Sequence, residues 1–165
     1  MLSGTRFLAK YPLTESEALC LHTDMADITR SYFSEGGSCF WVVEFEGQVV
    51  GMVGALPVKK PCLRNKQLQL LHLNMALEHR GQGIAKALVK TVLQFAQGQG
   101  YSEVVLDTTV LQLSALACNC SMGFQKVGQY FFSLSWRLIA VPSFQFRYCL
   151  PSAQVSQAQK QGGVL

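Results

Sequence analysis

The residues most suited to chemistry form one glycine-containing run, Arg80-Gly81-Gln82-Gly83-Ile84-Ala85. The run lies between an apolar, strand-like stretch that ends at Met75 and a helical stretch over residues 84–97. Glycine lets the backbone approach a ligand closely, and the free N–H groups at a helix start favour an anion. Arg80, Lys86 and Lys90 add positive charge nearby. The spacing predicts a pyrophosphate-binding turn, with a purely structural strand-to-helix turn as the alternative.

Two other nucleotide-binding signatures do not fit this run. The dinucleotide fingerprint G-x-G-x-x-G requires a third glycine where Lys86 stands. A phosphate-binding loop of the Walker type requires Gly-Lys-Ser/Thr, which does not follow. Both classes of nucleotide-binding protein are therefore disfavoured.

The composition indicates one domain with a substantial apolar core. The chain has 165 residues, of which 49% are hydrophobic and 15% charged, and its net charge is +4. This mild, dispersed positive charge suits an anionic small molecule and disfavours a nucleic-acid partner.

The six cysteines include no C-x-x-C pair, and the three histidines are not spaced as zinc partners for them, so we expect no metal. The most apolar stretch, 130–150, is interrupted by Arg137, Pro142 and Arg147, which favours strands over a membrane span.

The pattern of apolar residues predicts an α/β fold with a mixed central sheet and helices on both faces. We expect an N-terminal extension over 1–13, a domain over 14–151 and a disordered tail over 152–165. A capping-box pattern at Thr14 and Glu17 predicts a helical stretch to about Phe33. The remaining predicted elements are a hairpin of strands 39–45 and 48–56, a strand over 67–75, the helix 84–97, a strand over 103–109, a helix over 113–122 capped by Gly123, and strands near 125–138 and 143–150.

In this setting the pattern Arg80-x-x-Gly83-x-Ala85 resembles the acetyl-CoA signature of the GCN5-related N-acetyltransferases. The run Ser121-Met122-Gly123-Phe124 resembles the helix end that follows in the same superfamily. Segments such as 50–58 and 83–89 are similar to camello-like N-acetyltransferases, the group that contains cysteine-conjugate N-acetyltransferase. The similarity runs from about Phe7 to Ser152, so it implies the acetyltransferase fold and acetyl-CoA as co-substrate for nearly the whole chain.

The resemblance also implies where acetyl-CoA binds. In the superfamily it lies between two splayed central strands, which places its pantetheine against the backbone near Leu73 and Met75. The pyrophosphate then lies on the loop formed by Arg80, Gly81, Gln82, Gly83, Ile84 and Ala85. Gln112 stands where relatives often have an asparagine that touches the cofactor.

The catalytic positions are less clearly defined. The tyrosine that usually protonates the leaving thiolate is replaced by Asn119, which can hydrogen-bond but cannot act as an acid. Tyr130 and Cys120 are possible substitutes. His72 lies close to where relatives place the base, and a purely structural histidine is the alternative. Strand alternation places Leu71 and Leu73 on the face opposite to His72, and a bulge near Asn74 would change which face each side chain takes. Asp107 and Glu44 are secondary candidates for the base.

The predicted function is transfer of an acetyl group to an amine, either the α-amino group of a cysteine S-conjugate or a protein lysine. The alternatives are a weakened acyl-CoA-binding pseudoenzyme, because of Asn119, and an interaction module that has lost the cofactor. Camello-like proteins usually carry a hydrophobic anchor before the residues that match Phe7, which implies the endoplasmic reticulum membrane. That region is missing from this sequence, so we expect either a shortened form or a chain that never carried the anchor.

Overall fold

The computed structural model describes residues 22–34 and 36–151. The predicted capping box at Thr14 and Glu17, the extension over 1–13 and the tail over 152–165 lie outside these residues. Among the residues described, no helix is both long enough and apolar enough to cross a membrane.

The described residues form a six-stranded sheet in the order β1-β2-β3-β4-β6-β5. Strands β3 and β4 at its centre are parallel, whereas every other neighbouring pair is antiparallel. The predicted mixed sheet is therefore confirmed. The strands are β1 (Cys39–Phe45), β2 (Gln48–Pro57), β3 (Gln67–Met75), β4 (Glu103–Thr109), β5 (Gln125–Tyr130) and β6 (Ser143–Cys149).

Helices pack on both faces of the sheet, as predicted. The longest helix, α2, buries an apolar stripe that includes Leu88 and Val92 against one face. On the opposite face the buried ring of Tyr32, from α1, lies against Gly54 of β2. The helices are α1 (Ile28–Phe33), α2 (Ile84–Gly98), α3 (Leu113–Ser121) and α4 (Leu134–Leu138), and a 3-10 turn spans Leu77–His79.

Two element predictions are wrong in part. Residues 23–27 form a turn, and α1 begins only after Asp27, whose carboxylate accepts the Arg30 N–H at 2.9 Å. The strand predicted over 125–138 ends at Tyr130, because residues 134–138 form α4. In that segment Leu134, Trp136 and Leu138 alternate as strand residues do, yet only Trp136 is buried.

The core lies between α2 and the facing side of the sheet. Leu68 and Leu70 of β3 alternate inward, and their partners Val104 and Leu106 on β4 do the same. Val53, Ala55, Leu88, Val89, Val92, Ala96, Phe124 and Phe146 complete the buried cluster. The paired parts of β3 and β4 at the centre of the sheet therefore contribute directly to this core.

Replacing Leu68 by alanine tests this assignment of the core. Leu68 is fully buried, so Leu68→Ala should lower the free energy of unfolding by about 2–5 kcal/mol through lost burial and a residual cavity. Urea denaturation followed by circular dichroism measures the change. Leu138→Ala is the control, because Leu138 is 78% exposed and its truncation should change stability by less than about 0.5 kcal/mol. Equal effects of the two substitutions would contradict the core assignment.

Candidate active site

The two central strands separate partway along their length. Strands β3 and β4 are paired from Gln67 with Glu103 to Leu70 with Leu106, and the pairing stops there. Beyond it β3 continues to Met75 beside β2 alone, and β4 continues to Thr109 beside β6 alone. Because each strand keeps only its outer neighbour, the backbone edge of residues 71–75 that faces β4 has no partner strand within the described part of the chain. Such an edge can pair with an extended ligand that carries amide groups.

A β-bulge interrupts β3 within this unpaired part. Leu71 pairs with Gly54 and Asn74 with Met52, so β3 contains one more residue than β2 between these pairs. His72 takes a left-handed backbone conformation there, with φ of 54°. The bulge was predicted near Asn74 and is centred two residues earlier. The expectation that Leu71 and Leu73 share a face is wrong, because Leu73 packs against the core and Leu71 does not.

The His72 side chain contacts an acid that the sequence analysis did not identify. Its Nε2 atom lies 2.6 Å from Oδ2 of Asp24, in the turn before α1. The Tyr32 hydroxyl donates to the same oxygen of Asp24. Burial acts to raise the pKa of Asp24, but the hydrogen bonds from Tyr32 and His72 and the histidine charge outweigh it and hold the pKa below its usual value.

The glycine loop joins the end of β3 to the start of α2. Gly81 and Gly83 have φ values of 79° and 82°, a region that L-residues with side chains avoid. Gly83 is the residue before α2, and the first turn of that helix contains no acidic residue. The Arg80 Nε donates to the Met75 carbonyl at 3.3 Å, which ties the loop to β3. The exposed charges of Arg80, Lys86 and Lys90 lie at or just after the loop.

The structure thus places most of the predicted cofactor residues along one continuous path. Leu73 and Met75 lie on the unpaired part of β3, and the loop of Arg80, Gly81, Gln82 and Gly83 leads into Ile84 and Ala85 at the start of α2. Gln112 lies just before α3, and its side-chain oxygen accepts from the Thr108 hydroxyl at 2.8 Å. Its amide nitrogen therefore remains the group with which it could contact a ligand.

Asn119 is enclosed within the protein. It lies on α3 with only 2% of its surface exposed. Its Oδ1 atom has no hydrogen-bond partner among the described residues. Cys120, one alternative proton donor, is exposed on the same helix. The position thus holds a buried amide whose acceptor atom is unused.

A second polar cluster lies on the face of the sheet that α1 also covers. Thr109 and Ser143 are paired across β4 and β6, and Asp107 is two residues before Thr109 on the same face. Asp107 Oδ1, Thr109 Oγ1 and Ser143 Oγ are buried and lack partners among the residues described. The other Asp107 oxygen accepts from Gln69 Nε2 at 3.3 Å. Thr109 and Ser143 were missed because isolated hydroxyl residues on strands carry no sequence signal.

Asp107 and Tyr130 influence each other's ionisation. Burial raises the pKa of the Asp107 carboxyl above its usual value, more than the interactions with Tyr130 and Gln69 lower it. Burial and the neighbouring Asp107 charge raise the pKa of the Tyr130 hydroxyl as well. Glu44 is on β1, which β2 separates from β3, so it lies away from this cluster. Within the described part of the chain, no three His, Cys, Asp or Glu side chains are grouped to hold a metal ion.

The raised pKa of Asp107 predicts how stability depends on pH. Because the folded-state pKa lies above the unfolded value near 3.8, folding becomes less favourable as the pH rises between these two values. Asp107→Asn removes this loss, so the variant should be more stable than the original protein at pH 7. The difference should diminish below about pH 4, where both folded and unfolded carboxyls are protonated. Urea denaturation at both pH values measures it, and a variant less stable at pH 7 would show that the ionised carboxylate is stabilising.

Comparison with known proteins connects this site to a family. Residues 7–124 match the model of the acetyltransferase (GNAT) family. Human N-acetyltransferase 8 is 63% identical over 149 residues, which cover 90% of this chain and 66% of that protein. Human N-acetyltransferase 8B is 59% identical over 157 residues, 95% of this chain and 69% of that protein. The chain thus spans about two thirds of the length of these relatives.

Solved structures share the fold at much lower identity. A GNAT-family acetyltransferase from Streptococcus pneumoniae superposes with a TM-score of 0.65 at 13% identity, over 75% of this chain and 73% of that one. A protein from Bacillus anthracis, solved in complex with acetyl coenzyme A, has a TM-score of 0.63 at 14% identity over 73% and 66% of the two chains. The parted central strands, the glycine loop and these similarities agree: the chain belongs to the acetyltransferase (GNAT) family, whose co-substrate is acetyl-CoA, and within it to the N-acetyltransferase 8, or camello-like, group.

Proposed function

We propose that this chain transfers the acetyl group of acetyl-CoA to an amine. The observation that carries the proposal is the unpaired edge of β3, which leads directly into the glycine loop before α2. A ligand with an extended chain of amide groups would match the edge of β3, and a pyrophosphate at the end of that chain would match the glycine loop. Acetyl-CoA has that chemistry, and it supplies the acetyl group as a thioester.

The residues present suit the two ends of this ligand. The backbone of Leu73 lies on the edge that faces β4 and can bond to such a ligand. The Met75 N–H donates to Asn74 Oδ1 at 2.8 Å and its carbonyl accepts from Arg80 Nε at 3.3 Å, so Met75 would have to exchange these partners for the ligand. The free N–H groups at the start of α2 and the charge of Arg80 suit the pyrophosphate, and Lys86 adds charge one turn further on.

The acceptor amine must lose its protons during the reaction. An alkylammonium carries three protons, and the amide product retains one of them. We assign the first proton to His72, whose ring is held in the parted region of the sheet by Asp24. The neutral nitrogen then forms its bond to the thioester carbon, the carbon–sulfur bond breaks, and the second proton goes to the leaving sulfur. The unpartnered oxygens of Asp107, Thr109 and Ser143 suit the N–H donors of an acceptor.

The protonation of the leaving thiolate distinguishes two candidate functions. Asn119 can hydrogen-bond to sulfur but cannot release a proton to it. In an active enzyme, water or Tyr130 would relay the second amine proton to the sulfur. In the second candidate, a pseudoenzyme, the chain binds acyl-CoA and turns it over poorly, because the acid is missing. The buried amide at position 119, which stands where the acid would be and whose Oδ1 has no partner among the described residues, is the observation that favours this second reading.

The family resemblance supports two acceptor classes, the α-amino group of cysteine S-conjugates and protein lysines. It also supports a location at the endoplasmic reticulum membrane. Assays with S-benzyl-cysteine and with a lysine-containing peptide separate the acceptor classes. Microscopy of the natural full-length protein tests the location.

Binding of CoA depends on the glycine loop, and a pair of glycine variants tests this. An alanine side chain at Gly83 or Gly98 meets no atom within 4 Å, but only Gly83 has a positive φ. Forcing alanine into that conformation costs about 1–2 kcal/mol, so Gly83→Ala should weaken CoA binding roughly tenfold. Gly98→Ala should leave the affinity unchanged. Isothermal titration calorimetry measures both, and equal affinities for the two variants would contradict the assignment of the loop.

Acetyl transfer tests the function itself. We expect the original chain to consume acetyl-CoA in the presence of an acceptor amine and to yield free thiol. Asn119→Tyr restores the usual acid and should raise kcat, by up to ~10²–10⁴-fold if proton transfer to sulfur limits the rate. CoA binding by both proteins, with turnover only by the variant, would favour the pseudoenzyme. Failure of both to bind CoA would contradict the proposed function.

A further inference from the structure

The Asp24 carboxylate, in the turn before α1, contacts side chains of both α1 and β3. Oδ2 of Asp24 contacts both the Tyr32 hydroxyl and His72 Nε2, and Oδ1 accepts from the Thr23 hydroxyl at 3.1 Å. The His72 and Asp24 side chains are only 13% and 22% exposed. We propose that Asp24 is a positioning residue that fixes the orientation and tautomer of His72, so that Nδ1 is the ring atom left to accept a proton. This inference rests on the proposed function, in which His72 removes the proton of the acceptor amine.

The Asp24 carboxylate is itself held in place by Tyr32. Tyr32 is fully buried, and its ring lies against Gly54, where an added Cβ would approach the ring to 2.7 Å. The same ring makes an edge-to-face contact with Phe40 at 5.0 Å between centroids. The hydroxyl that holds Asp24 therefore comes from a side chain with little freedom to move.

The imidazole of His72 is also fixed by its own strand. The bulge in β3 places His72 at a φ of 54°, and Leu71 and Asn74 on either side remain paired with β2. The ring is thus held by the strand at one end and by the carboxylate at the other. A histidine whose ring is fixed in this way can meet its substrate without first losing rotational freedom.

The Asp24 carboxylate also determines which ring nitrogen of His72 carries the hydrogen. A carboxylate only accepts hydrogen bonds, and the lowered pKa of Asp24 keeps it ionised at neutral pH. The Nε2 atom that faces it must then carry a hydrogen, which leaves the lone pair of the neutral ring on Nδ1. Within the described residues Nδ1 has no hydrogen-bond partner, and Asp24 is the acid that pairs with this ring. The geometry therefore selects one of the two neutral tautomers.

The test separates positioning from a purely structural tie between α1 and β3. The ¹⁵N chemical shifts of the imidazole report the tautomer directly, and His72→Gln assigns the signals of His72 among the three histidines of the chain. We expect a protonated Nε2 in the original protein and a mixture of tautomers in Asp24→Ala. In steady-state assays Asp24→Ala should lower kcat roughly 10- to 100-fold, less than the ~10²–10⁴-fold expected for loss of the base itself. The KM for acetyl-CoA should not change, and Asp24→Glu should restore part of the lost kcat.

Asp27 provides a matched control in the same segment. It is also an aspartate beside α1, but its carboxylate caps the helix by accepting the Arg30 N–H. Asp27→Ala should lower the thermal midpoint of unfolding while leaving both the tautomer of His72 and kcat unchanged. If Asp24→Ala behaves in the same way, the contact is structural and the positioning role is wrong.

Two further outcomes separate this inference from the proposed function. Full activity of His72→Gln would overturn the role of His72 and Asp24 in proton removal. This would hold even if Asp24→Ala changed the tautomer of His72 as expected. Absence of acetyl transfer by the original chain would contradict the proposed function. The ¹⁵N shifts would then still decide whether Asp24 sets the state of the ring, because they do not depend on turnover.

Discussion

The short parallel pairing between β3 and β4 is the constraint on which the candidate site depends. Four residue pairs, two of which lie in the core under α2, hold the two strands together at the centre of the sheet. Where the pairing ends, each strand is still held by its outer neighbour, so the strands part without losing their order. An opening made in this way has rigid walls, and it presents backbone groups that a strand would otherwise use. The proposed cofactor site is therefore a consequence of sheet topology.

This arrangement separates the two halves of the proposed reaction. The glycine loop and the start of α2 provide positive charge and N–H groups for an anion. The opposite face of the sheet, under α1, holds Asp24 and His72 together with the polar cluster around Asp107. Several of those polar atoms are buried without partners, which opposes folding. The apolar core on the other face offsets this cost.

Local patterns in the sequence predict most of the fold but only part of the site. Each strand was placed because apolar alternation and turn residues are local signals, and the glycine loop was recognised from its neighbours in the chain. The failures have a different origin. Residues 134–138 alternate as a strand does, but tertiary packing buries only Trp136. Asp24 is 48 residues from His72 in the sequence, and no motif connects them, so only the docking of α1 on β2 reveals their contact.

The backbone conformation of His72 restricts which residue can serve as a base at this position. Left-handed φ values are tolerated best by glycine and, among residues with side chains, by asparagine, aspartate and histidine. Of these, histidine combines that tolerance with proton exchange near neutral pH. A glutamate, whose chemistry would also suit proton removal, would have to adopt the same unfavourable torsion. The shape of the strand and the identity of the proposed base are thus coupled, because a substitution at this position also changes the conformational cost of the bulge.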